Sequence, residues 1–364
     1  MGSTLGKSLK ISLFGESHGE VVGVVLDGFP AGIKIDEAFI DFEMARRAPG
    51  GIFGSPRSEK DACKILSGVL NGTTTGAPIC CIIENTNQDS SDYQALLKVP
   101  RPSHADFTGA LRYNGFNDLR GGGHFSGRLT APLVFAGALC KLYLAKRGVF
   151  IGAHLKSVGT IQDESFSEHH MNQEFFKDLA KKELAFLKDE IGEKAKEEIL
   201  KRKAEGDSVG GIVECAAIGV KAGLGSPIFE AAESKIAAMI FAIPGVKGVE
   251  FGEGFNIAQM LGSTANDAFC LKENQVYPET NHNGGCLGGI TTGAPIIFRA
   301  AFKPTASIQK TQFTLNVRTG VKEELKVLGR HDPCIAVRAV PVVEAAAAVV
   351  ILDMILEGSG YDRS

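Results

Sequence analysis

The sequence contains no tryptophan and only 5 tyrosines in 364 residues. It has no excess of positive charge: 39 Lys and Arg stand against 42 Asp and Glu, a formal net charge of −3. A chain without a global basic field is a poor nucleic-acid partner, so any anion site has to be built locally. The 8 cysteines, at 63, 80, 81, 140, 215, 270, 286 and 334, form no C-x-x-C pair. Several lie in apolar segments, where cysteine behaves as a small hydrophobe. They read as reduced thiols of a cytoplasmic protein, not as a disulfide frame or zinc site. No long apolar run opens the chain, so no signal peptide is expected. The apolar run 345–356 is short for a bilayer span and carries Asp353, so no membrane partner is expected. Also missing are the G-x-x-x-x-G-K-S/T phosphate loop, the G-x-S-x-G elbow, the H-E-x-x-H zinc motif and a dinucleotide fingerprint in βαβ context.

Glycine, by contrast, is abundant: 44 residues, well above the usual share of about 7%. Apolar runs surround these glycines, which points to tight turns and close backbone approaches. The length allows one or two domains and a sizeable core.

The densest stretch is Arg120-Gly121-Gly122-Gly123-His124-Phe125-Ser126-Gly127-Arg128-Leu129-Thr130, followed by an alanine-rich run to about Leu144. It reads as a loop feeding a helix, with Thr130 as N-cap and Pro132 in the first turn. Glycines expose backbone N–H groups, helix N-termini favour anions, and arginine forks grip phosphate or carboxylate. Two readings stand side by side at this point: an anion site, or a glycine-rich turn with surface arginines.

Residues 8–14 and 21–26 read as strands around the turn Gly15-Glu16-Ser17-His18-Gly19. Residues 36–47 read as a helix, 62–70 and 78–84 as strands, and 85–126 as a long functional loop. The segment 163–206 is rich in Lys and Glu with apolar residues at helical spacing, giving one or two solvated helices.

Then the first pattern returns. Gly72-Thr-Thr-Thr-Gly-Ala-Pro-Ile79 is echoed by Gly289-Ile-Thr-Thr-Gly-Ala-Pro-Ile296, and Arg128 before one Ala-rich helix by Arg338 before another. One domain of two related halves is therefore expected, 8–150 and 208–358, joined by the charged helices 163–206. With a pseudo-twofold axis, Arg128 and Arg338 would face a shared cleft suited to a substrate with several negative groups. Of the 8 histidines, His18, His104, His124 and His331 sit in polar loops, where acid–base work is plausible chemistry. His154 is expected on a strand with a structural role. Lys303 to Ile308 could hold a phosphate, and Ile335-Ala-Val after the Asp332-Pro333 turn looks strand-like.

Taken together, these motifs resemble the chorismate synthase family from about Gly6 to Leu356. The resemblance is carried by Gly15 to Gly19 with Asp27 to Pro30, Met44 to Arg47, Arg101-Pro-Ser-His104-Ala-Asp106, Arg120 to Thr130, Gly206 to Ser208, Ala222 to Gly225, Val246 to Glu250, Lys303-Pro-Thr305, and Arg330-His331-Asp332-Pro-Cys334 through Arg338 to Glu344. It implies an α+β fold, a β-α-β sandwich with an internal pseudo-twofold repeat, assembled as a homotetramer. It implies a lyase that eliminates phosphate from 5-enolpyruvylshikimate 3-phosphate to give chorismate, with reduced FMN and no net redox change. NADPH or an external reductase would reduce the FMN; the resemblance leaves both open.

By resemblance His18 protonates the leaving phosphate, His104 protonates or hydrogen-bonds the reduced flavin, and Asp332 assists proton removal through the flavin N5. Ser17, Arg47, Arg128 and Arg338 stand on the substrate side. FMN would be held by Arg47, His124, Phe125, Ser126, Pro244, Gly245, Gly288, Lys303, Pro304, Thr305, Ala306, Ser307 and Arg330. The family usually has an arginine where this chain has His124, a glutamate at Leu129, an arginine at Phe53, a glycine at Ser103 and Asn-Ala at Pro244-Gly245. These departures motivate the alternative of a divergent paralogue that binds flavin or a phosphorylated acid without turnover.

Overall fold

The computed structural model describes residues 2–48, 61–86, 98–272, 274–327 and 332–358. The chain opens with β1 (Thr4–Leu5), β2 (Lys10–Gly15) and β3 (Val21–Asp27), then α1 (Glu37–Arg47). Asp36 caps α1, accepting from the Phe39 N–H, and Arg46 and Arg47 close its last turn, where the helix dipole favours cations. Next come β4 (Cys63–Ser67), the small hairpin β5 (Val69–Leu70) and β6 (Thr73–Thr74), and β7 (Ile79–Glu84). The expected long loop after β7 contains α2 (Asp106–Arg112) and two 3-10 turns, Arg120–Phe125 and Gly127–Leu129. They lead into α3 (Thr130–Ala145).

The rest consists of β8 (Phe150–Val158), β9 (Ile161–Gln162), α4 (Gln173–Ala180), α5 (Asp189–Ala204), β10 (Gly211–Ile218), α6 (Ala232–Phe241), β11 (Val246–Phe251), α7 (Gly262–Ala265), the hairpins β12 (Phe269–Lys272) with β13 (Gln275–Pro278) and β14 (Cys286–Leu287) with β15 (Ile290–Thr291), β16 (Ile296–Phe302), β17 (Gln312–Leu315) with β18 (Lys322–Leu325), and α8 (Ala336–Gly358). Helix α8 starts at Ala336, so Ile335-Ala-Val is no strand; three apolar residues are too few for their spacing to tell strand from helix.

Two five-stranded antiparallel sheets carry the fold, in the orders β1-β2-β3-β7-β4 and β9-β8-β10-β16-β11. Helices α3 and α8 pack on each other between them, α3 against β3 and β7, α8 against β8 and β10. Their alanines let the backbones approach closely: a Cβ on Gly137 would stand 2.2 Å from the Ala345 Cβ. The helical stretch Gly127–Ala145, α3 with the 3-10 turn before it, and α8 are long and apolar enough to cross a membrane, yet 89% of each apolar window is buried inside this protein. The β-α-β sandwich expected from the sequence is thus observed.

The repeated Thr-Thr-Gly-Ala-Pro-Ile does the same work twice. Thr74 Oγ1 donates to the Pro30 carbonyl (2.7 Å) and accepts from the Ile33 N–H (2.9 Å). Thr291 Oγ1 donates to the Lys221 carbonyl (2.7 Å) and accepts from the Leu224 N–H (2.9 Å). Each threonine pins the loop that follows the third strand of its sheet, β3 or β10. The charged segment 163–206 leaves and re-enters the second sheet between neighbouring strands β8 and β10. We propose that the two sheets with their helices are copies of one unit, the second beginning near β8; the matching four-strand orders β2-β3-β7-β4 and β8-β10-β16-β11 and the twin threonines support it.

Candidate active site

A cavity of about 560 Å³ opens where the start of α3, the start of α8, the end of α1 and the loops after β7 and β16 meet. Of the described residues lining it, six are cationic (Arg47, Arg101, Arg128, Lys247, Lys303 and Arg338) and Asp332 alone is acidic. The volume suits a small-molecule or cofactor site, and the charge selects anions.

Three glycines shape one side of the site, with Gly121 lining the cavity. Gly121, Gly122 and Gly123 have φ of 60°, 89° and 54°, a left-handed run that only glycine adopts without strain. A Cβ on Gly121 would stand 2.5 Å from His18 Nε2 and 2.9 Å from Ser17 Oγ, so those side chains fill the space a Cβ would need. A Cβ on Gly122 would touch His104 Nε2 at 3.5 Å, and one on Gly123 would overlap the Asp118 carbonyl. The Ser17 N–H donates to the Gly123 carbonyl at 3.1 Å. The run thereby brings the turn holding Ser17 and His18 up to the loop holding His104. Ser17 and His18 are buried behind Gly121, and His104 lines the cavity.

Arg47 and Arg128 are bound to one carboxylate that the sequence reading missed. Asp61, buried, accepts from Arg47 Nη1 at 2.6 Å and from Arg128 Nη1. Arg47 also donates from Nε to Thr130 Oγ1 (3.1 Å) and from Nη2 to the Gly127 carbonyl (3.3 Å). Arg128 donates from Nε to Asn85 Oδ1 at 2.9 Å and from Nη2 to the Glu84 carbonyl at 3.2 Å. Thr130 is therefore not the expected N-cap. Its hydroxyl serves Arg47, while Ser126 accepts from the Arg128 N–H one 3-10 turn earlier. Burial, then the Arg338 and Arg128 charges, press the Arg47 guanidinium below its ordinary value against the pull of Asp61. Arg338 reaches across from α8: its Nε donates to the Arg47 carbonyl (2.9 Å) and its Nη1 to Asp332 Oδ2 (2.6 Å).

On the other wall, Pro244 and Gly245 lie between α6 and β11, with the Lys303 N–H on the Gly245 carbonyl at 2.9 Å. Lys303 Nζ donates to the Ser103 carbonyl; burial and then Lys247 lower its pKa. Thr305 Oγ1 donates to the Asp332 carbonyl (2.7 Å), and Ser307 Oγ accepts from Arg101 Nη1 (3.1 Å). Pro304 and Ala306 line the same wall. His124 lines the cavity with its ring engaged elsewhere: Nδ1 donates to the Gly15 carbonyl (2.9 Å) and Nε2 meets Ser3 Oγ at 3.1 Å. Phe125 is half exposed at the rim beside Tyr113.

Gly288 lies in the β14–β15 turn and is not among the lining residues. Arg330, His331 and Phe53 lie outside the described residues. His154, expected to be structural, is buried on β8 beside Glu214 (3.0 Å).

Such a site defines a class: a two-sheet α+β protein whose basic, histidine-bearing cleft takes a multiply anionic small molecule. A family profile for chorismate synthase matches residues 9–356. A chorismate synthase of Thermococcus kodakarensis is 46% identical over 358 residues, 98% of each chain. One of Dehalococcoides mccartyi is 44% identical over 366 residues, covering 100% of this chain and 99% of the relative. A crystal structure of chorismate synthase superposes with a TM-score of 0.76 at 31% identity, covering 98% of this chain and 94% of the other. The chain belongs to the chorismate synthase family.

Proposed function

We infer that the protein is a carbon–oxygen lyase that converts 5-enolpyruvylshikimate 3-phosphate to chorismate and phosphate, in the shikimate route to aromatic amino acids. Family membership over residues 9–356 supports this. The observation in the molecule that carries it is the cleft in which His104 and six cationic side chains stand with a single acid, while His18 packs against Gly121 of its wall. In this 1,4-elimination phosphate and a proton leave the substrate, so nothing is oxidised or reduced overall.

The substrate brings a phosphate and two carboxylates, which Arg47, Arg128 and Arg338 are proposed to face from the helix ends, with Ser17 beside them. His18, held against Gly121, donates a proton to the departing phosphate. Asp332, the only acid among the described lining residues, is oriented by Arg338 and takes part in proton removal.

The lining also fits a flavin mononucleotide. The cavity of about 560 Å³ has room for a flat group beside the side-chain-free backbone of Gly121, and Lys303, Thr305 and Ser307 offer a cation and hydroxyls for a phosphate. Reduced FMN, when bound, supplies transient electron density that eases the loss of phosphate. The residues proposed to hold it are Phe125, Ser126, Pro244, Gly245 and Lys303 to Ser307, with His104 protonating or hydrogen-bonding it; Arg47, His124, Gly288 and Arg330 complete the expected set. NADPH is proposed as reductant of FMN, tested by NADPH oxidation on adding FMN.

We also propose a cytoplasmic homotetramer. Phe229, Phe255 and Leu271 are 89%, 83% and 77% exposed, as interface residues of a single copy would be. Sedimentation tests the assembly. The activity is tested by supplying the purified protein with reduced FMN and 5-enolpyruvylshikimate 3-phosphate without oxygen. Chorismate should form one for one with phosphate; its absence from folded, flavin-loaded protein would refute the assignment.

A further inference from the structure

Behind His104 lies a second buried charge pair to which no role has been given. Asp106, the first residue of α2, is 3% exposed, and Arg101 is 6% exposed. Arg101 grips Asp106 from three sides: its backbone N–H (3.0 Å) and Nε (2.8 Å) donate to Oδ2, and its Nη2 donates to Oδ1 at 2.7 Å. His104 Nδ1 lies 2.7 Å from the same Oδ1. Arg101 also reaches Ser307 Oγ at 3.1 Å, tying this group to the loop after β16.

The geometry decides where the proton sits. A carboxylate that already accepts from three guanidinium and amide donors, one of them on Oδ1, is an acceptor, so a nitrogen 2.7 Å from Oδ1 must bring the hydrogen. Burial would raise the Asp106 carboxyl, but Arg101 and His104 outweigh it and hold it well below the usual carboxylate range, so it is ionised at neutral pH. The neutral ring then carries its hydrogen on Nδ1. Its Nε2, on the side of Gly122 and the cavity, is left with a lone pair. Arg101 Nη2, 3.0 Å from Nδ1, cannot donate to a nitrogen that already bears hydrogen; its donation goes to Oδ1.

We propose that Asp106, braced by Arg101, is the positioning residue of His104: it fixes the ring in the Nδ1–H tautomer and presents Nε2 to the cleft as the atom that accepts and returns a proton. Histidines held by a carboxylate through one ring nitrogen and working through the other are a recurrent catalytic device. The proposal rests on the proton-handling role of His104 given above, but the tautomer itself does not depend on that role.

The test is the tautomer of His104 in the ligand-free protein, read from proton–nitrogen correlations of the imidazoles in 15N-histidine-labelled chain at a pH where the ring is neutral, with His104→Gln supplying the assignment. Wild type should show hydrogen on Nδ1. In Asp106→Asn the Arg101 donors draw the amide oxygen to the Oδ2 position and turn its NH2 to the ring. Nδ1 then accepts, the hydrogen moves to Nε2, and turnover falls about 100-fold or more with substrate KM little changed. Asp106→Glu, which keeps an acceptor, should retain the Nδ1–H tautomer and recover part of the rate. Hydrogen on Nε2 in wild type would overturn the proposal, and this reading needs no variant to fold. An inverted tautomer with undiminished turnover would also overturn it. Failure of the wild type to release phosphate would instead count against the assigned activity and leave the tautomer result standing.

Discussion

Arg338 donates its Nε to the backbone carbonyl of Arg47 at 2.9 Å, joining the N-terminal end of α8 to the C-terminal end of α1. Its Nη1 simultaneously holds Asp332 Oδ2 at 2.6 Å. One planar guanidinium thus fixes the spacing of two helices and orients the acid of the cleft. Lysine carries its donors on a single nitrogen and lacks the rigid fork that spans both acceptors. Arg338→Lys should raise the substrate KM about 10- to 100-fold, the worth of one or two charge-assisted hydrogen bonds. Steady-state kinetics at saturating reduced flavin checks this; an unchanged KM would show that Arg338 does not face the substrate.

The glycine run gives the second prediction. Gly121→Ala places a methyl where His18 and Ser17 stand and imposes φ of 60° on a residue with a side chain. The strain costs about 1–2 kcal/mol, and a displacement of His18 near 1 Å is enough for a rate loss of about 100-fold. Gly115→Ala separates the two causes: its φ is +77° but a Cβ there meets nothing within 4 Å. It should lose similar stability in denaturant titration and keep its turnover.

Asp61→Asn removes the carboxylate shared by Arg47 and Arg128 and leaves buried like charges facing each other, with Arg338 nearby. Breaking such a pair costs about 3–5 kcal/mol. An added anion can replace the missing charge, and a ligand that binds only the folded state raises stability as its concentration grows. Thermal melts in rising inorganic phosphate should therefore show a larger Tm gain for Asp61→Asn than for wild type. Equal gains would mean that the arginines are not open to anions from the cleft.

These three cases also show what was legible beforehand. The first sheet's main strands, the charged helices and both alanine-rich helices could be read from spacing and identity. That the glycines allow close backbone approaches could be read too; that the group against Gly121 is His18, about a hundred residues earlier, could not, because nothing local encodes a contact between distant turns. Asp61 was missed because it stands just outside the strand read at 62–70 with no pattern of its own, and its two partners come from α1 and the turn before α3. Thr130 looked like a cap because caps are judged from neighbours, whereas its hydroxyl is claimed by Arg47 from another helix. The pairing of β8 with β10 was hidden by the 52 residues 159–210 inserted in that hairpin.

A fourth prediction concerns the buried cluster beneath the cleft. Glu344 on α8 accepts from Arg46 Nη1 (2.7 Å) and Nη2 (2.8 Å), from Lys141 Nζ and from the Ala153 N–H (3.0 Å), while Glu43 accepts from Arg46 and Lys141 as well. Burial would raise the Glu344 carboxyl; Arg46 and Lys141 outweigh it and pull it from 4.5 to about 2. A depressed folded-state pKa means that its stabilising contribution is fully present above about pH 4.5 and is lost as pH falls towards 2. Unfolding free energy should therefore drop between those values. In Glu344→Gln, already destabilised by about 3–5 kcal/mol, that part of the pH dependence should be missing. An unaltered acid limb in the variant would exclude Glu344 as its source.

His18 carries the central claim most directly, and the decisive measurement is phosphate release from 5-enolpyruvylshikimate 3-phosphate by wild type and His18→Ala side by side, anaerobically, with the same reduced FMN and matched flavin loading. The account predicts release by wild type and a loss of at least about 100-fold in the variant, the usual scale of a general acid. Equal rates in the two proteins, or no release by folded wild type, would contradict it.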